Sequence, residues 1–425
     1  MKLQVILNMM CRCPLLIAFL FYVDHVARLD AAGVHNRSPI FNNKPSNNWA
    51  VLVAGSDSWI NYRHQANVFH AYHVLRANKI PAENIITFAY DDIANHPKNP
   101  YKGQVFNDYE HEDVYKGVVI DYRGQDVNPD IFAKVLKGDK ELEKEGVKLL
   151  KSGPDDNVFI YYTGHGALQA ISFPYGYLHA VELNDILGNM YLNKRYKKLV
   201  LYMDSCAAGS LFRDLLPSDV GIFVTTSANE NEESLSVFCN DKRIGVCLAT
   251  EYSYAWITDS KYKDLKKRTL DQQYEEVKKR TNKSHVMKYG EMKILLSGAF
   301  FLDVSTPDLG HKRGRTRSLV VQETFNLPTI FHNYSSGYYQ LGHIVHETFH
   351  DIVMDVTTQH KPTVKDLSKR NELMCFKEVF DQFQTHCFTI QQVPEVARYT
   401  PHLMELCKAG YEIETLIKSV HNICS

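Results

Sequence analysis

The sequence predicts an α/β protein in which a doubly wound, mainly parallel sheet is followed by a separate all-helical region. Two observations carry this prediction. Short, continuous apolar runs alternate with helix-length segments from residue 47 to residue 304, and a helical pattern begins after a polar stretch. The chain has 425 residues, 44% of them hydrophobic and 23% charged. That length is enough for one large α/β domain and a second, smaller one.

The predicted strands are rich in β-branched and aromatic residues, as expected for strands that are covered on both faces. They are residues 49–54 (WAVLVA), 85–90 (IITFAY), 158–162 (VFIYY), 199–203 (LVLYM) and 222–226 (IFVTT). Helix-length segments such as 64–78 and 181–197 lie between them. Strand and helix in alternation indicate parallel strands joined by right-handed crossovers.

A targeting segment precedes this domain. Lys2 and Arg12 stand before an apolar run at residues 13–23, which has the length of a secretory signal and is too short to span a bilayer. An uncleaved anchor is the alternative. We expect a signal peptide at 1–32, the α/β domain at 33–304, an exposed linker at 305–336 and the helical region at 337–425. No other segment predicts a membrane span, and the mature protein is expected to be lumenal or extracellular.

The linker and the helical region differ from the domain before them in polarity and in hydrophobic periodicity. Residues 305–318 (STPDLGHKRGRTRS) are polar and carry Pro and Gly, which is typical of an exposed segment that proteases cut. Beyond residue 337 apolar side chains follow an i, i+3, i+4 pattern, which predicts a helix. They are Leu341, Ile344, Val345, Phe349, Ile352, Val353 and Val356.

The cysteines fit an oxidising compartment. Four of the nine, Cys375, Cys387, Cys407 and Cys424, lie near the C-terminus and would form two bridges, whose pairing the spacing leaves open. Seven cysteines remain after signal removal, so at least one lacks a partner within the chain.

A bridge between Cys239 and Cys247 across a hairpin would leave Cys206 as the odd, reactive thiol. Asn282 and Asn333 stand in sequons and are expected glycosylation sites, and Asn36 is a weaker one. The net charge of -1 gives no indication of a nucleic-acid partner.

Two of the predicted strands end in residues that suit nucleophilic catalysis. Thr-Gly-His165-Gly166 follows one strand, and Asp204-Ser-Cys206 follows another. Reactive groups gather at the carboxyl ends of the strands in a doubly wound sheet, so His165 and Cys206 are expected to lie close together. A thiolate attacks and an imidazole moves the proton, while the Gly166 N–H is a candidate donor to the oxyanion. The alternative is a small core cysteine and a histidine that only satisfies a loop.

The sequence resembles the legumain, or asparaginyl endopeptidase, family over nearly the whole mature chain. The matching segments are residues 48–56 (NWAVLVAGS), 61–65 (NYRHQ), 90–92 (YDD), 117–122 (GVVIDY), 151–154 (KSGP), 165–166, 206 with 209–210, 225–226 and 284–290 (SHVMKYG). The late four-cysteine region matches the family's C-terminal prodomain. The resemblance implies a caspase-like fold, no cofactor, and disulfides Cys375–Cys407 and Cys387–Cys424.

The resemblance also assigns roles to residues at the site. It implies a catalytic dyad of His165 and Cys206, with Asn61 positioning the histidine. Arg63, with His64 beside it, and Asp204 belong to the pocket that reads an Asn side chain, which has a donor end and an acceptor end.

This chain departs from the family pattern around that pocket. Asp204 stands where the family usually has Glu. The paired pocket serines are represented by Glu233 and Ser234, and Thr250 stands where an Asp is expected. Other departures are Gly164, where an acidic residue often precedes the histidine, and Ala207 and Ala208 after the cysteine.

The expected activity is therefore that of a cysteine endopeptidase precursor that cleaves after Asn, and after Asp at acidic pH. Its own prodomain is the expected inhibitor, released by acid and proteolysis in a lysosome-like compartment or after secretion. Candidate partners are protein and peptide substrates and cystatin-type inhibitors. One alternative is a degenerate homologue with altered or lost specificity.

Two further alternatives come from other motifs. The catalytic subunit of the GPI transamidase shares the His and Cys motifs but carries a membrane helix. His346-Glu347-Thr-Phe-His350 matches the H-E-x-x-H pattern of zinc proteases. Its position in the helical region favours an amphipathic surface instead. A further use of His332, His343, His346 and His350 is pH sensing, because imidazoles charge as the pH falls through about 6.5.

Overall fold

The computed structural model describes residues 48–292 and 335–424, apart from positions 218, 266 and 366. The predicted signal peptide, all of the predicted linker except residues 335 and 336, and the sequons at Asn36 and Asn333 lie outside these residues. The strands are β1 (Asn48–Ala54), β2 (Ile85–Phe88), β3 (Asn157–Thr163), β4 (Gly166–Ala167), β5 (Ala170–Ser172), β6 (Tyr177–His179), β7 (Lys198–Asp204), β8 (Ile222–Thr226), β9 (Ser236–Val237), β10 (Ala249–Thr250) and β11 (Met287–Gly290).

The helices are α1 (Tyr62–Ala77), α2 (Pro129–Lys137), α3 (Lys140–Lys144), α4 (Ala180–Leu192), α5 (Glu251–Tyr262), α6 (Leu270–Arg280), α7 (Ser335–Gln359), α8 (Lys369–His386), α9 (Val396–Ala409) and α10 (Ile413–Ile423). None of the described helices is long and apolar enough to cross a membrane.

The main sheet has six strands in the order β11-β8-β7-β3-β1-β2. The five strands that the sequence predicts pair in parallel, and β11 pairs with β8 in the antiparallel sense. Successive strand residues point to opposite sides of the sheet, and helices pack against both faces. The predicted doubly wound, mainly parallel sheet is confirmed.

Alternate residues of β1 belong to two different cores. Leu52 packs in a core with α1, α5 and α6. Val51 and Val53 pack in another core with α2 and α4. Every residue of β3 is buried, which explains why this strand is a continuous apolar run in the sequence.

The sequence around α2 shows how the local signals set a helix. The side chain of Asn128 accepts a hydrogen bond from the Ile131 N–H at 2.9 Å, and Pro129 occupies the first turn. The helix ends at Gly138, whose φ of 63° is left-handed and therefore suits glycine. These signals fix where α2 begins and ends, and Phe132 of α2 packs against Phe88 of β2.

A small antiparallel sheet, β4-β5-β6, fills the chain between β3 and α4. This sheet has no signal in the sequence, because its strands have only two or three residues. It continues directly from His165, so it determines what lies beside that residue.

The C-terminal helices α7 to α10 form the predicted all-helical region. Disulfides join Cys375 to Cys407 and Cys387 to Cys424, the pairs that the family resemblance implies. The predicted helix is confirmed as α7, which begins at Ser335. Of its apolar stripe, Val345, Phe349, Ile352 and Val356 are buried.

Two members of the stripe lie outside this core. Leu341 and Ile344 are 37% and 48% exposed, whereas Val345, Phe349, Ile352 and Val356 pack in the core of the helical region.

The helical region shares one hydrophobic core with the α/β domain. Ala167 of β4, Ala170 of β5 and Val181 of α4 pack in the same cluster as α7 to α10. The two regions are therefore docked, and the docking surface is the small sheet that follows His165.

Candidate active site

The strand register brings the predicted nucleophile and base together. Thr163 at the end of β3 pairs with Asp204 at the end of β7, and the Gly164 N–H donates to the Asp204 carbonyl oxygen at 3.0 Å. His165 and Cys206 each follow two residues after this pair. Parallel strands therefore deliver both side chains to the same edge of the sheet.

Cys206 lies on a tight turn just beyond β7. The next residue, Ala207, has a left-handed φ of 51°, which costs free energy in a residue other than glycine. The Ala207 N–H donates to the Glu232 carbonyl oxygen at 2.8 Å, and the Ser205 N–H donates to Oγ of Ser227 at 3.1 Å. These bonds hold the turn in a conformation that keeps Cys206 at the rim of the sheet.

Cys206 is the free cysteine among the described residues, and it is part-buried. Cys239 and Cys247 form a disulfide, which is the pairing that leaves Cys206 as the odd thiol. The Sγ atom lies 3.9 Å from the Ser234 carbonyl oxygen.

His165 is oriented by Asn61. The imidazole Nε2–H donates to Oδ1 of Asn61 at 2.8 Å, which leaves Nδ1 as the nitrogen available to a thiol. The ring is 9% exposed, and the ring of His64 packs edge-on against it at 5.1 Å between centroids. The fixed tautomer suits a proton carrier, since which nitrogen is protonated depends on the partner of the other.

Gly166 packs against the backbone of the nucleophile. A Cβ atom at this position would lie 2.6 Å from the Cys206 carbonyl oxygen and 2.6 Å from Oγ of Ser205. The turn after His165 and the turn around Cys206 are therefore in direct contact. Glycine is required because this approach leaves no room for a side chain.

Burial keeps the two predicted catalytic groups neutral in this docked state. Burial raises the pKa of the Cys206 thiol, against smaller opposing effects of the Ser234 backbone and Arg63. Burial, and then the charge of Arg63, lower the pKa of His165 to about 3. A neutral thiol beside a neutral imidazole is the resting form that these shifts favour.

Asp204 lies directly behind Cys206 and is held by hydroxyl groups. It is 1% exposed. The hydroxyl of Ser234 donates to Oδ1 at 2.8 Å, and the hydroxyls of Thr250 and Ser253 donate to Oδ2. Three predicted pocket residues, Asp204, Ser234 and Thr250, are thus brought together.

The predicted pocket cation interacts electrostatically with both Cys206 and Asp204. Arg63 is part-buried at the start of α1, and one of its Nη atoms donates to the Ile60 carbonyl oxygen at 3.1 Å. Burial lowers the pKa of its guanidinium, while the charges of Cys206 and Asp204 act in the opposite direction.

His64 is tied to the same region. Its Nδ1 lies 2.6 Å from Oγ of Ser56. Burial, followed by the charges of Arg63 and His165, lowers its pKa well below the usual value. A neutral His64 leaves Arg63 as the cation of this wall.

Glu233 is the predicted pocket residue that has a different partner. Its Oε1 atom accepts from Nε of Arg398 on α9 at 2.7 Å. The side chain therefore contacts the helical region, whereas the neighbouring Ser234 contacts Asp204. A separation of 165 residues between the partners explains why the sequence analysis did not predict this pair.

A second layer of polar groups, which the sequence did not predict, lies behind the hydroxyls that hold Asp204. The Asn67 amide donates to Oγ1 of Thr250 at 2.7 Å, and it accepts from the Asn107 amide at 2.9 Å. The Tyr161 hydroxyl donates to Oγ of Ser253 at 2.5 Å. The available signal was Asn67 itself, a polar residue on the buried face of α1.

The chain matches known families over both of its described regions. The Peptidase C13 family profile matches residues 48–297, and the profile described as "Legumain, prodomain" matches residues 341–424. The chain belongs to the Peptidase C13 family, the legumains. It is accordingly a cysteine endopeptidase that carries a legumain prodomain, α7 to α10.

Two relatives, one from a schistosome and one from the mouse, support the same assignment. A protein named Hemoglobinase from Schistosoma japonicum is 41% identical, over 88% of this chain and 92% of the relative. Mouse (Mus musculus) Legumain is 38% identical, over 88% of this chain and 92% of the relative. A crystal structure of Caspase-1 from Spodoptera frugiperda matches with a TM-score of 0.37 and 10% identity, over 60% of this chain and 90% of that one.

The H-E-x-x-H motif lies on α7 within the prodomain. Nδ1 of His346 is 3.3 Å from Oε1 of Glu347, and the His346 ring packs against Tyr399. Within the residues that the structure describes, no group of three or more His, Cys, Asp or Glu side chains is arranged to hold a metal ion.

Proposed function

We propose that this legumain-family peptidase cleaves peptide bonds on the carboxyl side of Asn. The observation that carries the proposal is the pair of opposite charges near Cys206: Asp204 ends β7 two residues before the thiol, and Arg63 is a part-buried cation at the start of α1 whose charge interacts with both. An Asn side chain offers a carbonyl oxygen to the cation and an N–H to the carboxylate, so it matches both walls.

The proposed reaction uses the dyad directly. Sγ of Cys206 attacks the carbonyl carbon of the scissile bond as the thiol proton moves to Nδ1 of His165. The N–H of Gly166 donates to the oxyanion, and His165 then protonates the leaving amine. Water hydrolyses the acyl-enzyme and restores the thiol.

We further propose that Asp is accepted at the cleaved position in acid. A charged Asp side chain meets Asp204 and is repelled, whereas a protonated Asp has an O–H that replaces the N–H of Asn. Cleavage after Asp should therefore increase as the pH falls through the pKa of the substrate carboxyl, about 4.

Autoinhibition by the prodomain is supported by its contacts. Arg398 pairs with Glu233, next to the pocket residue Ser234. Gln391, in the loop between α8 and α9, donates to the carbonyl oxygens of Gly55 and Phe173 near His165. We propose that acid weakens these contacts and that proteolysis between the two regions then releases the enzyme.

The proposed cleavage sites are Asn326, Asn333 and the basic stretch at residues 312–317, all outside the described residues. A secretory route, with an acidic compartment or the exterior as destination, is supported by the disulfides. Protein substrates are supported by the name Hemoglobinase of the Schistosoma relative. Cystatin-type inhibitors remain candidate partners.

The test is a cleavage profile of the processed protein at acidic pH. Peptides that differ only in Asn, Asp, Gln or Leu at the cleaved position should be cut fastest after Asn. Cys206→Ala should abolish turnover, and chelators should leave the wild-type rate unchanged. Cleavage retained by Cys206→Ala would refute the dyad, and equal cleavage after Leu would refute the pocket.

A further inference from the structure

A polar notch lies beside His165 on the side away from the specificity pocket. It is formed by the carbonyl oxygens of Gly55 and Phe173 and the hydroxyl of Ser172. The Ser172 hydroxyl lies 3.3 Å from both the Gly55 and the His165 carbonyl oxygens, and the Ser172 N–H donates to the His165 carbonyl oxygen at 3.0 Å. The notch is therefore joined to the backbone of the predicted base.

In the precursor this notch holds one side chain of the prodomain. Nε2 of Gln391 lies 3.1 Å from the Gly55 oxygen, 3.0 Å from the Phe173 oxygen and 3.5 Å from Oγ of Ser172. Among the residues that the structure describes, the oxygen of the same carboxamide is buried and has no hydrogen-bond partner. The notch therefore accepts hydrogen bonds from the N–H groups of a carboxamide and, in the described part of the chain, provides no donor for its carbonyl oxygen.

The order of the strands shows which part of a substrate would reach the notch. Strands β8, β7, β3 and β1 follow one another across the sheet. The pocket residues Asp204 and Ser234 follow β7 and β8, Cys206 follows β7, and His165 follows β3. Gly55 follows β1, so the notch lies one strand beyond the base.

The base protonates the leaving amine, so the leaving peptide extends from Cys206 across His165. Adjacent strands lie about 4.8 Å apart, and an extended chain advances about 3.3 Å per residue. The side chain of the first or second residue after the cleaved bond is therefore at the distance of the notch.

We propose that this notch is a leaving-side subsite that binds a carboxamide side chain of the substrate, and that Gln391 occupies it in the precursor. The proposal rests on the proposed peptidase function. Carbonyl and hydroxyl oxygens accept the N–H groups of Gln or Asn. The carboxylate of Glu has no donor and is repelled by the same oxygens, and an apolar side chain leaves them without a partner.

A substrate series on the processed protein tests this subsite. Peptides keep Asn at the cleaved position and carry Gln, Glu or Leu at the first or the second position after the bond. At one of these positions Gln should give kcat/KM about ten-fold above Glu and above Leu, through a lower KM. Values within about two-fold at both positions, with cleavage after Asn intact, overturn the subsite and leave the peptidase proposal standing. Failure to cut any peptide overturns both.

A pair of precursor variants tests the role of Gln391 in the full-length chain. Gln391→Glu places a carboxylate against the two carbonyl oxygens, so a thiol-directed peptide probe should label Cys206 about ten-fold faster at neutral pH. Gln392→Glu is the matched control, because Gln392 is exposed and bonds only to Thr389 among the described residues. Labelling of Gln391→Glu as slow as that of Gln392→Glu overturns the proposal. The substrate series needs neither variant to fold.

Discussion

The residues around Asp204 form a chain of donors that all point toward one carboxylate. Asn67 donates to the Thr250 oxygen, so the hydroxyl hydrogen of Thr250 is free to point at Asp204. Tyr161 orients Ser253 in the same way. The carboxylate of Asp204 is therefore fixed by three hydroxyl donors, Ser234, Thr250 and Ser253.

Replacement of Thr250 tests whether this arrangement sets substrate binding. Thr250→Val removes the donor to Asp204 at nearly constant volume, and kcat/KM for Asn peptides should fall at least about ten-fold, mainly through KM. Thr250→Ser keeps the hydroxyl and should recover most of the loss. The measurement is steady-state kinetics on the processed protein. An unchanged kcat/KM in Thr250→Val would show that the hydroxyl of Thr250 does not set substrate binding.

Gly166 offers a second test at the residue scale. In Gly166→Ala the new Cβ meets the Cys206 carbonyl oxygen at 2.6 Å, so the two turns must separate. A misplacement of this kind should lower kcat by about 100-fold.

Gly188→Ala is the control, because a Cβ there has nothing within 4 Å. That variant should gain about 0.5–1 kcal/mol in the free energy of unfolding, since alanine is favoured over glycine within a helix. Its activity should equal that of the wild type. Full activity in Gly166→Ala would contradict the close approach.

At the scale of elements, the predictable parts of the fold were those with a strong local pattern. Strands β3, β7 and β8 are continuous apolar runs. His165 follows β3 and Cys206 follows β7, so the edge of the sheet that carries the predicted dyad could be inferred from the pattern. Strands β4 to β6 and the β9-β10 ribbon are too short for any periodicity. The roles of the pocket residues came from the family resemblance, because their contacts join distant parts of the chain.

The β9-β10 ribbon carries part of the proposed pocket, and several contacts hold it in addition to its disulfide. Cys239 and Cys247 close its tip. Nε1 of Trp59 donates to the Ile244 carbonyl oxygen at 3.3 Å, and the Asn107 amide donates to the Leu248 carbonyl oxygen at 3.0 Å. The ribbon is therefore fixed on both sides by the α/β domain.

Removal of this disulfide should thus affect stability more than substrate binding. Replacing both cysteines by serine should lower the free energy of unfolding by about 2–3 kcal/mol, from the loop-closure entropy of a short loop. KM for an Asn peptide should change by less than about three-fold, because the polar contacts remain. Denaturant unfolding and steady-state kinetics on the same preparation measure the two effects. A large rise in KM would mean that the disulfide alone orders the pocket wall.

At the scale of the whole molecule, charged pairs fasten the prodomain to the α/β domain. Nε2–H of His179 donates to Asp381 on α8 at 2.7 Å, and Lys377 bonds to the same carboxylate at 2.8 Å. Arg370 binds Asp185 through two hydrogen bonds. Prodomain histidines 343, 346 and 350 lie instead on α7, where the described contacts of His343 and His346 are to Glu347, to each other and to Tyr399.

Asp381 gives the docked state a defined response to acid. Burial acts to raise the pKa of Asp381, but the hydrogen bonds and charges of His179 and Lys377 outweigh it, so the pKa lies below the usual 3.8. A depressed carboxyl pKa stabilises the docked state above the pKa of the undocked state, and the contribution is lost as the pH falls through the docked value. This contact should therefore hold at mildly acidic pH and fail only below about pH 4.

Asp381→Asn separates this contact from the rest of the interface. Loss of the charge should free Cys206 for probe labelling in the full-length protein at higher pH than in the wild type, with a midpoint shift of about half a unit or more. Asp351→Asn is the control, because Asp351 is exposed on α7 and should leave the midpoint unchanged. An unchanged midpoint in Asp381→Asn would assign acid release to the remaining pairs, Arg398 with Glu233, Arg370 with Asp185 and Lys377 with Glu182. The two arginine pairs are exposed to solvent, which makes them weaker contributors, because water and salt screen exposed charges.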